Sequence, residues 1–139
     1  MNSAAGSLSL SGVPVVYETG KTYRVQLRLT HPGVVIGGFE MTARFEVGGA
    51  QAGQLAFLPE DGGLIAVGMS QQVQYVHHLR PGTTSVVQDT ARWTVLWAAP
   101  SERGGPVTMH AAGNAANDDD SPLGDYIYTV MASSQPASR

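Results

Sequence analysis

The chain has no cysteine among its 139 residues. That excludes a thiolate nucleophile, a cysteine-ligated zinc or iron–sulfur centre, a type 1 copper site and c-type haem attachment within this sequence. It does not fix the compartment, because cytosolic and periplasmic proteins can both lack cysteine. Lysine is nearly missing too, with Lys21 alone. The net charge is −3, and its arginines are scattered along the chain. Phosphate neutralisation needs a basic stripe, so nucleic acid is not an expected partner. No apolar run approaches the roughly 20 residues of a membrane span. The opening Met1-Asn2-Ser3-Ala4-Ala5-Gly6 has neither the basic nor the apolar region of a signal peptide, and Met1 is expected to stand where a leader has been removed. No stretch has the length and period of an amphipathic helix.

What the sequence does contain is alternation. Residues 22–30 place Tyr23, Val25, Leu27 and Leu29 on one face and Arg24, Gln26 and Arg28 on the other, the pattern of a half-buried strand. Residues 39–47 repeat it, with Phe39, Met41, Ala43, Phe45 and Val47 expected inward. Leu8 and Leu10 share a face in 7–11. Trp93, Val95 and Trp97 do so in 91–98, and Val107, Met109 and Ala111 in 107–112. Weaker strands are expected at 53–58, 64–68 and 73–79, and a last one at 125–132. Turn residues stand between them: Thr19-Gly20, His31-Pro32-Gly33, Gly48-Gly49, Arg80-Pro81-Gly82 and Gly104-Gly105.

Eight or nine short strands at this spacing predict an all-β, immunoglobulin-like antiparallel β-sandwich. A chain of this length buries roughly two-thirds of its unfolded surface and can fold without disulfide or metal. The expected organisation is an N-terminal extension over 1–6, one sandwich over 7–132 and a flexible tail over 133–139.

Candidate sites are few. Asn114, Asn117, Asp118, Asp119, Asp120 and Asp125 put six oxygen-bearing side chains within twelve residues. Calcium takes six to eight oxygens, often from flexible loops, and a cation would relieve the repulsion of three consecutive aspartates. The spacing is not that of an EF-hand, and a solvated turn capping its own backbone fits the same residues. His31, His77, His78 and His110 could supply copper or zinc only if two or three converge. His77 and His78, adjacent on a strand, point to opposite faces, and His110 falls opposite the inward set of its strand. Tyr126 and Tyr128 share one face of the last strand, and with His77 and His78 they are the candidate interface residues.

No Gly-x-Ser-x-Gly elbow is present, and no glycine-rich loop precedes a helix to hold phosphate. Glu40, Glu46, Glu60 and Asp61 make a glycosidase pair only if tertiary geometry is assumed. The inward phase of Trp93 and Trp97 argues against a carbohydrate platform.

The ordered set of short motifs resembles the reeler domain, and within it the bacterial choice-of-anchor V type. The matching pieces are Tyr17-x-x-Gly20-x-x-Tyr23, Gly38-Phe39, Ala52-Gly53, Tyr75-Val76-His77-His78, Trp93-x-x-x-Trp97-x-x-Pro100, Gly105-Pro106-Val107, Ala111-Ala112-Gly113-Asn114 and Gly124-Asp125-Tyr126-Ile127-Tyr128. Together they span about residues 7–131. The resemblance implies an extracytoplasmic sandwich, periplasmic, secreted or at the cell surface, that serves as a recognition or spacer module. Many bacterial relatives carry a haem-attachment motif just before the sandwich, and this chain has none. The family has no common catalytic residues to carry over.

The expected function is therefore non-catalytic protein–protein docking, as a subunit or accessory domain in the cell envelope that requires no cofactor. The resemblance makes a c-type cytochrome or electron-transfer complex a candidate partner. The alternatives are a calcium-binding module, with copper second, and a carbohydrate-binding module.

Overall fold

The computed structural model describes residues 6–30, 36–58, 65–70, 73–78, 86–87, 90–102, 104–116 and 126–137. Among them lie eleven strands: β1 Ser7–Ser11, β2 Val16–Tyr17, β3 Thr22–Thr30, β4 Ile36–Phe45, β5 Gln54–Phe57, β6 Ile65–Ser70, β7 Val73–His78, β8 Val86–Val87, β9 Thr90–Ala98, β10 Val107–Ala116 and β11 Tyr126–Pro136. They form two sheets. One has the order β1-β3-β9-β5, with β8 also pairing β9; the other runs β2-β11-β10-β4-β7-β6. Every pairing is antiparallel except β2 with β11. This is an all-β two-sheet sandwich, as the alternation predicts.

The core lies where the two inner faces meet. Val25, Leu27 and Leu29 of β3 and Trp93, Val95 and Trp97 of β9 face Phe39, Met41 and Ala43 of β4 and Val107, Met109 and Ala111 of β10, and all are buried. Phe39 packs on Trp93 across the sheets, with ring centroids 4.8 Å apart. Trp97 is fully buried between Tyr17, at 5.6 Å edge to face, and Tyr23, stacked at 5.8 Å. Its indole N–H donates to the Ala52 carbonyl at 2.9 Å. A buried indole needs such an acceptor, and Gly53 helps present it. Gly53 holds φ at +74°, and a Cβ there would run into the Ala98 carbonyl, so only glycine fits without strain.

The two-residue pieces β2 and β8, too short to show any alternation, add to the eight or nine strands read from the sequence. Two expectations are corrected. Val47 is 86% exposed: β4 ends at Phe45, whose N–H and carbonyl bond Ala50 and Gly49 across a turn, so the inward phase stops there. Residues 133–136 are not a free tail but the end of β11. Ser134 is buried, and the Gln135 and Ala137 N–H groups donate to Val15 and Tyr17 carbonyls. The parallel partner β2 lies far back in the chain and extends the strand past its apolar pattern.

Candidate functional site

With the core closed, chemistry is left to the outer faces and the ends of the sandwich. On the outside of the five-stranded sheet, β3 presents Thr22, Arg24, Gln26 and Arg28, β1 presents Ser7, Ser9 and Ser11, and β9 presents Arg92 and Thr94. The register sets Arg28 directly opposite Arg92, with Ser9 opposite Arg28 on the other side. Arg24 lies four residues from Arg28 on the same face, roughly 13 Å along the strand. The described residues on this face include no carboxylate. Directly opposed like charges on a sheet are unfavourable, and none of these three arginines has an ion pair among the described residues, whereas Lys21 pairs with Glu18 at the β2–β3 turn. Scattered along the sequence, three of the eight basic residues share one sheet face.

The outside of the six-stranded sheet is different. β10 presents Thr108, His110 and Ala112, β4 presents Glu40, Thr42 and Arg44, and β11 presents Ile127, Thr129, Met131 and Ser133. Ile127 is 47% and Met131 66% exposed. Met131 is paired with His110, and His110 with Thr42, around an open groove of about 390 Å³. Farther out on β7, the Tyr75 ring lies over Gly68 of β6, where a Cβ would meet its Cζ at 2.6 Å, and it packs on His77 at 5.3 Å. Glu46 accepts hydrogen bonds from Thr108 and Ser133 at 3.0 and 3.1 Å, tying the ends of three strands together.

Asn117, Asp118, Asp119, Asp120 and Asp125 lie outside the described residues, as does His31; Asn114 is placed by its backbone at the end of β10, paired with Gly38 and Ile127. Tyr126 and His78 are placed by their backbones in β11 and β7. Tyr128 is 6% exposed and belongs to the core, so the outward contact positions of β11 are Ile127, Thr129 and Met131 rather than the tyrosine. The sheet is filled in the other phase because Tyr128 pairs with inward-facing Gly113. His77 is half-buried, opposite Glu40. It lies two strands across and two residues along from His110, roughly 12 Å away. Among the described residues no group of three or more His, Cys, Asp or Glu could hold a metal ion.

Sequence reasoning missed a polar bracket at one side of the sandwich. The Gln51 amide donates to the Gln74 side chain and to the Gly53 carbonyl, both at 3.0 Å. The Gln74 N–H returns a bond to Gln51 at 2.7 Å, and Leu55 N–H donates to Gln74 at 2.9 Å. The bracket joins β5 of one sheet to β7 of the other. Beside it, an open cavity of about 650 Å³ is lined by Phe45, Gln51, Gln54, Pro100 and Glu102 among others. One carboxylate without a partner base or nucleophile offers no catalytic arrangement there.

Among solved structures, the chain is similar to the human F-spondin reeler domain, with 23% identity, 96% of this chain and 91% of that chain covered, and a TM-score of 0.61. It is also similar to a cohesin module from a family 33 glycoside hydrolase of Clostridium perfringens, at 8% identity, 97% and 100% coverage and a TM-score of 0.54. A third likeness is to AvmM, which catalyses macrocyclization in alchivemycin A biosynthesis, at 12% identity, 99% and 91% coverage and a TM-score of 0.57. At these identities the likeness is one of fold: a reeler-like sandwich over nearly the whole chain. No protein-family model matches the chain, and no curated protein matches it. No helix among the described residues is long and apolar enough to cross a membrane.

Proposed function

We propose that this protein is a non-catalytic module that docks, outside the cytoplasm, onto an acidic surface of an envelope or cell-surface protein through Arg24, Arg28 and Arg92. The observation that carries this reading is the register that opposes Arg28 to Arg92 on a face whose described residues include no carboxylate. A folded chain with more acidic than basic residues has carboxylates to spare. Two opposed arginines with no carboxylate among the described residues of their face cost stability that a partner's acid groups would recover. Arginine suits the task because its planar guanidinium binds carboxylate in a bidentate fork. Serines and a threonine around the pair add hydroxyl donors and acceptors.

The reeler-like fold and the choice-of-anchor resemblance support an accessory role in the envelope. A c-type cytochrome or electron-transfer subunit with an acidic face is a partner of this class. The reeler likeness favours binding over catalysis, although AvmM is a fold relative that catalyses a reaction.

Fluorescence anisotropy with a labelled oligoglutamate peptide tests the proposal. Binding is expected at low salt, weakening as salt rises, and weakening further in Arg28→Gln and Arg92→Gln. Tighter binding to a sulfated oligosaccharide than to the peptide would reassign the face to a glycan. No binding by the wild type at low salt, or wild-type affinity retained in both variants, overturns the assignment.

A further inference from the structure

We propose that β11 pairs antiparallel, edge to edge, with β11 of a second copy of this chain, about a two-fold axis at Thr129. The proposal stands apart from the arginine face. In the six-stranded sheet β11 has β10 on one side, while on the other side β2 pairs only Gln135 and Pro136. No strand among the described residues pairs with residues 127–134 along that side. Proteins commonly protect such an edge with lysine, proline, a bulge or a very short strand. Two other edge strands are shorter: β5 has four residues and β1 five. Residues 126–134 read Tyr-Ile-Tyr-Thr-Val-Met-Ala-Ser-Ser. They contain no charge, no proline and no glycine, and are rich in β-branched and aromatic side chains. This edge is built to pair.

A second copy is the occupant because the strand is complementary to itself in one register. An axis through Thr129 sets Ile127 opposite Met131 of the other copy, and Met131 opposite its Ile127. Directly opposed residues of an antiparallel pair share a face, so the exposed Ile127 and Met131 cover each other twice. The two threonines meet on the axis, a favourable cross-strand pair. This register pairs residues 126–132 of each copy and ends short of Gln135, so β2 does not obstruct it. The strands bring no charge together, although each chain carries −3. The contact is isologous and closes on itself as a dimer. One strand from each copy makes less than the roughly 1,200 Å² of a standard interface, so the dimer is weak and depends on concentration.

Sedimentation velocity of the full chain over a concentration series is the first test, with dimer expected to grow as concentration rises. Met131→Glu should raise the dimer dissociation constant roughly tenfold. The double variant Ile127→Lys with Met131→Glu should restore it, because the register sets each new cation opposite a new anion of the other copy. Within one copy the same two side chains are roughly 13 Å apart and cannot pair. The absence of native cysteine permits a sharper check. Opposed residues lie within disulfide reach, so Thr129→Cys should give a covalent dimer on mild oxidation and Ser133→Cys should not. A chain that stays monomeric at every concentration, a double variant that is not rescued, or equal cross-linking from both cysteine variants overturns the proposal.

Discussion

The two outer faces of the sandwich rest on one shared core, yet they differ in almost every chemical respect. The five-stranded sheet turns out serines, threonines, glutamine and three arginines, with no carboxylate among its described outward residues. The six-stranded sheet turns out Glu40, Arg44 and His110 beside the exposed apolar Ile127 and Met131, and its Glu46 is tied down by two hydroxyl donors. The inner halves are nearly interchangeable: both alternate apolar residues, and both bury large side chains. The difference teaches that the core determines that a sandwich forms, while the outward half of each strand and the register between strands decide what it can bind. The proposed pairing about Thr129 would also keep both arginine faces on the same side of one continuous sheet. Two copies would then meet an extended acidic partner with added avidity.

The deepest way to break the contrast is to remove what both faces stand on. Trp97→Ala deletes a fully buried indole and its bond to Ala52, and should lower stability by about 3–5 kcal/mol in urea unfolding. Gln74→Ala cuts the bracket between the sheets and leaves the Leu55 N–H without its acceptor. A loss of about 1–3 kcal/mol is expected in the same assay, with both faces intact in the folded fraction. Arg28→Glu separates the faces: oligoglutamate affinity should fall by more than roughly tenfold, with no loss of thermal stability, since a repulsive pair becomes an attractive one. The smallest effect is expected from Met131→Ser, which should change monomer stability by less than about 0.5 kcal/mol and leave peptide binding at its wild-type value. A fall in peptide affinity in that variant would join the two faces into one site.

How much of this was legible in the sequence depended on distance along the chain. Strand phases within β3, β9 and β10 could be read directly, because alternation is local; Val25, Leu27, Trp93, Val95, Val107 and Met109 are all buried as their phase requires. The all-β class and both buried tryptophans followed. What failed to show was long-range. Arg28 and Arg92 are far apart in sequence, and only the β3–β9 register places them face to face. Gln51 and Gln74 have no pattern that announces a bracket, because its partners are chosen by sheet packing. β2 and β8 are two residues each and carry no period. Tyr128 could be assigned to the strand from sequence but not to a side of it, since the pairing with β10 decides which face the ring takes.

The most direct measurement is a two-dimensional amide NMR titration of the labelled protein with the oligoglutamate peptide at low salt. It reads both faces in one experiment. Shifts concentrated at Ser9, Gln26, Arg28, Arg92 and Thr94, and reversed by added salt, are the expected result. Shifts centred on Thr42, His110 and Met131, or no shifts at any peptide concentration, would contradict the assignment of the arginine face as the docking surface.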